Sequence, residues 1–123
     1  MIDHITFGVA DFAAALRFYD AALAPLGLRR LLRFVDRVEV AAYGGTRPFF
    51  WIVDEAPVCG KLHIAFAAPS RAAVDAFHAA ALAVRAADNG APGLRPHYDP
   101  GYYAAFVRDP DGHNIEAVCR RPD

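Results

Sequence analysis

The chain has 123 residues, 55% of them apolar and 22% charged, with a formal net charge of −1. This describes one globular domain, long enough for a single core and too short for two. It excludes a disordered chain, and the charge balance gives no basic excess for a nucleic acid or an anionic membrane to recognise. No apolar run approaches the ~18 residues of a membrane helix. The N-terminus opens directly into a strand pattern, MIDHITFGV, with no basic segment ahead of an apolar one. Cys59 and Cys119 show no CxxC spacing and sit in apolar strand-like settings, as buried thiols of a reducing compartment do. A cytoplasmic location is the expectation.

Taken in order, Asp3 to Val9 alternates, with Ile5, Phe7 and Val9 on one face and His4, Thr6 and Gly8 on the other. Asp11 is placed to cap a helix whose apolar stripe is Phe12, Leu16, Tyr19, Leu23 and Leu26, and Gly27 ends it. Three strands follow, Leu28 to Val35, Val38 to Tyr43 and Phe49 to Val53, with turns at Asp36-Arg37 and Gly44-Gly45. The order is β-α-β-β-β.

The same order then restarts. Lys61 to Ala68 is a strand, and Ser70 caps a helix with Val74, Phe77, Ala81 and Val84 on one face. A Gly/Pro-rich loop from Asp88 to Gly101 leaves room for one short strand near Leu94. Phe106 to Val118 closes the chain as two strands around Asp109-Pro110-Asp111-Gly112, a type I turn with Asp, Pro and Gly at their favoured positions. The halves align at a separation of 59 positions: His4 with His63, Ile5 with Ile64, Phe7 with Phe66, Asp11 with Ser70, Phe18 with Phe77, Leu23 with Leu82. A shared H-I-x-F and paired helix caps are expensive coincidences, so the chain reads as two duplicated modules, residues 1–57 and 60–123, in a single domain.

One helix per four strands covers one face of each sheet and leaves the other bare. The bare faces carry His4, Thr6, His63 and Ala65, and Glu116 stands in the last strand between Ile115 and Ala117. Two imidazoles and one carboxylate suit Fe(II), Mn(II), Ni(II) or Zn(II) and leave coordination positions for substrate. Each histidine alone reads more simply as a hydrogen-bonded strand residue; their equivalence within the repeat favours ligation.

The segments DHITFGVADFAAALRFYDAALAPLGL, KLHIAF and FVRDPDGHNIEAV together resemble the vicinal oxygen chelate superfamily, which includes glyoxalase I, fosfomycin-resistance transferases, extradiol dioxygenases, methylmalonyl-CoA epimerase and bleomycin-resistance proteins. The resemblance spans nearly the whole chain. It implies an α+β fold of two βαβββ modules forming a curved, cup-shaped mixed sheet with helices outside. It also places His4, His63 and Glu116 at metal-ligand positions and favours a homodimer, with modules paired within or across chains. Glyoxalase I-like members carry a further glutamate in the last strand of the first module. Here that strand, Pro48-Phe49-Phe50-Trp51-Ile52-Val53, is apolar in either register, which leaves the three-ligand set of dioxygenases and fosfomycin transferases.

Glu116, Thr6 and Tyr103 are the candidate catalytic side chains, and Phe50, Trp51, Tyr102, Tyr103 and His97 the candidate substrate-binding ones. The aromatics of the fourth strand serve either as a wall for an apolar ligand or as core. Tyr102 and Tyr103 either donate to a bound oxyanion or anchor their loop. Arg33, Arg37 and Arg47 read as exposed, His78 as solvated, and His113 faces away from Glu116 by strand parity. Two functions remain in play: a metal-dependent lyase, isomerase, transferase or dioxygenase acting on a small molecule, and a metal-free drug- or metabolite-binding protein of the bleomycin-resistance type.

Overall fold

The computed structural model describes residues 2–58 and 62–122, so Cys59 and the start of the expected fifth strand at Lys61 lie outside the described residues. The first module consists of β1 (Ile5–Gly8), α1 (Phe12–Leu23), β2 (Arg29–Asp36), β3 (Val38–Gly44) and β4 (Pro48–Val53). The second consists of β5 (His63–Ala67), α2 (Arg71–Ala83), β6 (Ala87–Leu94), β7 (Tyr103–Arg108) and β8 (Asn114–Cys119). Each module is thus βαβββ, and each forms its own four-stranded mixed sheet, β1-β4-β3-β2 and β5-β8-β7-β6. The first strand of each module runs parallel to the last and the remaining pairings are antiparallel. Among the described residues no helix is long and apolar enough to cross a membrane.

The helix boundaries follow from local chemistry. The Asp11 carboxylate accepts from the Ala14 amide at 3.0 Å and the Ser70 hydroxyl from the Ala73 amide at 3.1 Å, each satisfying an amide that the first turn leaves unpaired. After α1 a 3-10 turn over Ala24–Leu26 is terminated by Gly27 at φ 79°, a left-handed conformation that glycine adopts without Cβ strain.

The short strand expected near Leu94 is instead an eight-residue edge strand, β6, which takes up the first half of the expected Asp88–Gly101 loop. Its pairing with β7 slips between Asp88 and Gly90 and again between Gly90 and Gly93. Bulges at a sheet edge absorb the glycines, and Pro92 needs no amide partner on the open side. Composition alone therefore concealed a paired strand.

The two modules share one core. Phe7, Tyr19, Phe50 and Ile52 of the first are continuous with Phe66, Phe77, Val107 and Ile115 of the second. The Phe50 and Phe66 rings meet edge-on at 5.2 Å between centroids, and α1 packs against α2. A polar clamp fastens the same junction. The β7–β8 turn closes with Gly112 N–H donating to Asp109 O at 2.9 Å, and the buried Asp109 carboxylate accepts from the Tyr19 hydroxyl at 2.6 Å and from the amides of Asp111 and His113. One turn further, Asp111 accepts from Ala10 N–H at the head of α1. Burial together with Asp109 pushes the Tyr19 phenol well above its ordinary range, so it stays a donor. His113 faces away from Glu116, as strand parity requires. Its Nδ1 accepts from Leu62 N–H at 3.1 Å and its ring stands edge-on to Phe7.

Candidate functional site

The parallel pairing of β5 with β8 sets Ala65 opposite Glu116 and His63 opposite Asn114. His63 and Glu116 therefore stand on the same, helix-free face, one diagonal step apart. His63 Nε2 lies 2.8 Å from Glu116 Oε2. The imidazole is 55% exposed and the carboxylate 1%, so the acid forms the floor and the histidine the open rim. The second carboxylate oxygen, Oε1, accepts from the Tyr102 hydroxyl. Tyr102 is itself held by Arg120, whose guanidinium lies 4.8 Å from the ring centre and reaches Asp99, and by an edge contact with Tyr98.

Burial, and then the Glu116 hydrogen bond, push the Tyr102 phenol up to about 12. A raised folded-state value means that this hydrogen bond supports the fold below the ordinary phenol range and loses that support as pH climbs from about 10 through about 12. Phenolate absorbance of the wild type minus that of Tyr102→Phe is expected to titrate near the upper figure. Titration of that difference at an ordinary phenol value would remove the bond.

Several expected site residues lie elsewhere. His4 is exposed and binds its neighbour Asp3 at 2.8 Å, and Asp3 also takes Arg47 at 2.6 Å. Among the described residues no third His, Cys, Asp or Glu joins His63 and Glu116 within the chain. Tyr103, expected at the site, donates instead to Asp75 of α2 at 2.6 Å, because it is one residue out of step with Tyr102 and faces the helix side. Phe50, expected as a wall, is wholly buried in the core. Its neighbour Trp51 is the residue on the bare face, opposite Thr6 and edge-on to Phe34 at 6.4 Å. His97 is exposed and lies tilted against Tyr98, 4.2 Å between centroids. His78 is buried rather than solvated, with Nε2 3.0 Å from Asp88, because α2 turns that flank toward β6. Arg33 pairs with Glu39, an ordinary surface interaction.

The registers also locate the position of the absent glutamate. Thr6 pairs with Trp51 as Ala65 pairs with Glu116, so Trp51 is the first-module counterpart of Glu116. Whole rows follow from this. Leu32, Ala42, Trp51 and Thr6 cross the first bare face, an apolar row, and Gly90, Phe106, Glu116 and Ala65 cross the second. Leu32 and Phe34 keep 42% of their surface exposed there.

A 2.8 Å separation fits two donors of one ion, since ligand bonds of ~2.1 Å at a right angle put their ends about 3 Å apart. The set of one imidazole nitrogen and one carboxylate oxygen, the latter steadied by a phenol, suits a borderline divalent cation. It forms two thirds of the expected ligand set.

Comparison with known proteins agrees with this architecture. The family model described as Glyoxalase/Bleomycin resistance protein/Dioxygenase superfamily matches residues 1–117. A glyoxalase/bleomycin resistance protein from Albidiferax ferrireducens T118 is 31% identical over 96% of this chain and 97% of its own, with a TM-score of 0.75. Lactoylglutathione lyase from Agrobacterium tumefaciens is 21% identical over 97% and 92%, with a TM-score of 0.67. A glyoxalase I mutant from Zea mays is 20% identical, covering 99% of this chain and 45% of that one, with a TM-score of 0.72. At those identities the last two bear on the fold alone. No curated protein matches the chain. With two βαβββ modules in place and the family model matched almost end to end, the chain belongs to the glyoxalase/bleomycin resistance protein/dioxygenase superfamily.

Proposed function

We propose that the bare face of the second sheet is a metal-dependent small-molecule site, in which His63 and Glu116 hold a divalent Fe, Mn, Ni or Zn ion and His4 of a second copy completes the set. The observation that carries this is the 2.8 Å approach of His63 Nε2 to a buried carboxylate on an otherwise open face. The need for a second copy is supported by the packing. The helix-covered faces share one core within the chain, which leaves each bare face to meet another molecule, and the exposed Leu32 and Phe34 favour burial in such a dimer. In that arrangement the apolar row around Trp51 of one copy roofs the polar row around Glu116 of the other.

A divalent ion bound there supplies Lewis acidity toward neighbouring oxygens of a small substrate. The protein's own part is positional. Tyr102 keeps its proton at neutral pH and occupies Glu116 Oε1, leaving Oε2 to the ion. His63 bounds the open side, Phe106 gives an apolar floor, and the Trp51 row excludes water. Reactions that develop an oxyanion, whether of the lyase, isomerase, transferase or dioxygenase kind, are served by this arrangement.

A second reading, a metal-free binding protein of the bleomycin-resistance type, is favoured by one observation: within the described chain no third ligand joins His63 and Glu116. Under it their contact is an ordinary hydrogen bond. Metal analysis of protein purified without chelator or affinity-tag nickel, together with light scattering at micromolar concentration, separates the two. About one ion per chain in a dimer is expected; metal-free protein that takes up none of the four ions on addition would support the second reading.

A further inference from the structure

The row that crosses the second bare face continues past Glu116 to Phe106 and then Gly90. Over its outer end lies Arg95, with its guanidinium carbon 5.3 Å from the centre of the Phe106 ring. The same ring borders the site, since Phe106 and His63 are 6.3 Å apart between centroids. The guanidinium is fixed in place: Nη1 donates to Gly93 O and Nη2 to Ala91 O, both at 2.8 Å, from the bulged end of β6. The glycine at position 90 belongs to the same arrangement. A Cβ there would stand 2.9 Å from Phe106 Cδ1 and 3.3 Å from Arg95 Nη2, so a side chain would push the guanidinium off the face.

Among the described residues no carboxylate lies within ion-pair reach of Arg95, whereas Arg30, Arg33, Arg47 and Arg120 each have one. Other arginines share that lack; what sets Arg95 apart is that its guanidinium is also fixed by two carbonyls over Phe106, the ring that borders His63. Its remaining donors are free for an oxyanion in fork geometry. Two strand spacings, about 10 Å, separate the Gly90 and Glu116 strands, which is the span of a short carbon chain lying over Phe106.

We infer that Arg95 anchors an anionic group of the bound small molecule, and that the substrate class is a small acid with a carboxylate or similar oxyanion at the end remote from its reacting oxygens. The inference rests on the reading that this face receives a small molecule, and it holds with or without a metal ion.

The probe is 2-oxoadipate, which has oxygens in a chelating pair at one end and a carboxylate at the other, compared with its distal methyl ester, which lacks only the remote charge. Calorimetric titration is done on Mn(II)-loaded and on metal-free wild type, Arg95→Gln and Arg95→Lys. Wild type is expected to bind the acid at least about tenfold more tightly than the ester. Arg95→Gln should bind both alike while taking up Mn(II) as wild type does, and Arg95→Lys should keep part of the preference, which also guards against misfolding of the glutamine variant. Equal binding of acid and ester by wild type, binding of neither, or a preference that survives in Arg95→Gln overturns the assignment. If Mn(II) uptake fails but metal-free wild type still prefers the acid, the metal reading falls and Arg95 keeps its role.

Discussion

Glu116→Ala and His63→Ala are each expected to abolish uptake of divalent metal, taking it from about one ion per chain to below about a tenth. Each removes one of the three proposed ligands, and the single donor left in the chain together with His4 of the second copy is too few to hold an ion at an open face. The fold should survive in both. His63 is half-exposed and can return its imidazole to water, and Tyr102 stands at the rim of the site within reach of solvent. Metal-free His63→Ala should therefore unfold within about 1 kcal/mol of metal-free wild type, whereas Glu116→Ala, which empties a buried position and takes the acceptor from Tyr102, should lose about 1–3 kcal/mol. Adding metal should widen the gap to wild type for both by about 2.7 kcal/mol at a hundredfold excess over the dissociation constant. Urea unfolding at fixed protein concentration, with and without Mn(II), reads both quantities. Undiminished metal content in Glu116→Ala would remove the carboxylate from the site.

Asp109→Ala acts in the opposite sense, through the fold and away from the site. It strips the acceptor from the buried Tyr19 hydroxyl and from the amides of Asp111 and His113, and loosens the turn whose Asp111 reaches the head of α1. Unsatisfied buried donors of this kind cost about 1–3 kcal/mol each and are not additive, so a loss of about 3 kcal/mol is expected, or roughly 10 °C in unfolding midpoint. Tyr19→Phe alone should lose about 1–2 kcal/mol. The double variant should lose less than the sum, because the hydroxyl and the carboxylate spend their interaction on each other. Strict additivity would mean that they do not interact in solution.

The contrast between these two residues shows what was legible in the sequence. Period-two and period-three-to-four patterns with paired caps at Asp11 and Ser70 carry the βαβββ repeat, because they are local and each is set by backbone geometry. The Asp109 turn was legible as a turn, from its residues alone. Its second task, as acceptor for Tyr19 across the module junction, was not, since a carboxylate in a turn looks the same whether it faces water or a buried phenol. β6 was concealed for a related reason. Glycine and proline signal a loop unless a neighbouring strand accepts the bulges, and that neighbour is distant in sequence.

At the site, the shared bare face of His63 and Glu116 was legible from strand parity and the repeat. Their 2.8 Å approach depends on the parallel pairing of β5 with β8, which the sequence did not declare. Trp51 rather than Phe50 as the counterpart of Glu116 required the register, which an all-apolar strand does not declare. Choosing Tyr102 over Tyr103 required knowing where β7 begins, and a shift of one residue exchanges the two faces. The separation of His4 from the pair depends on how whole modules pack, which no local pattern encodes. Arg95 was invisible among thirteen basic residues until its fixed seat over Phe106 distinguished it.

Complementation between variants tests the shared site most directly. Chains carrying His4→Ala and chains carrying His63→Ala are each unable to hold metal if the site needs both imidazoles. Unfolded together and refolded as a mixture, they form mixed dimers in which intact His4 from one chain meets intact His63 and Glu116 from the other. The account predicts that these mixed dimers, separated by a tag on one chain, regain about one ion for every two chains, while each variant refolded alone regains none. Mixed dimers as empty as the parents, or His4→Ala alone binding metal as wild type does, would contradict a site built from two copies.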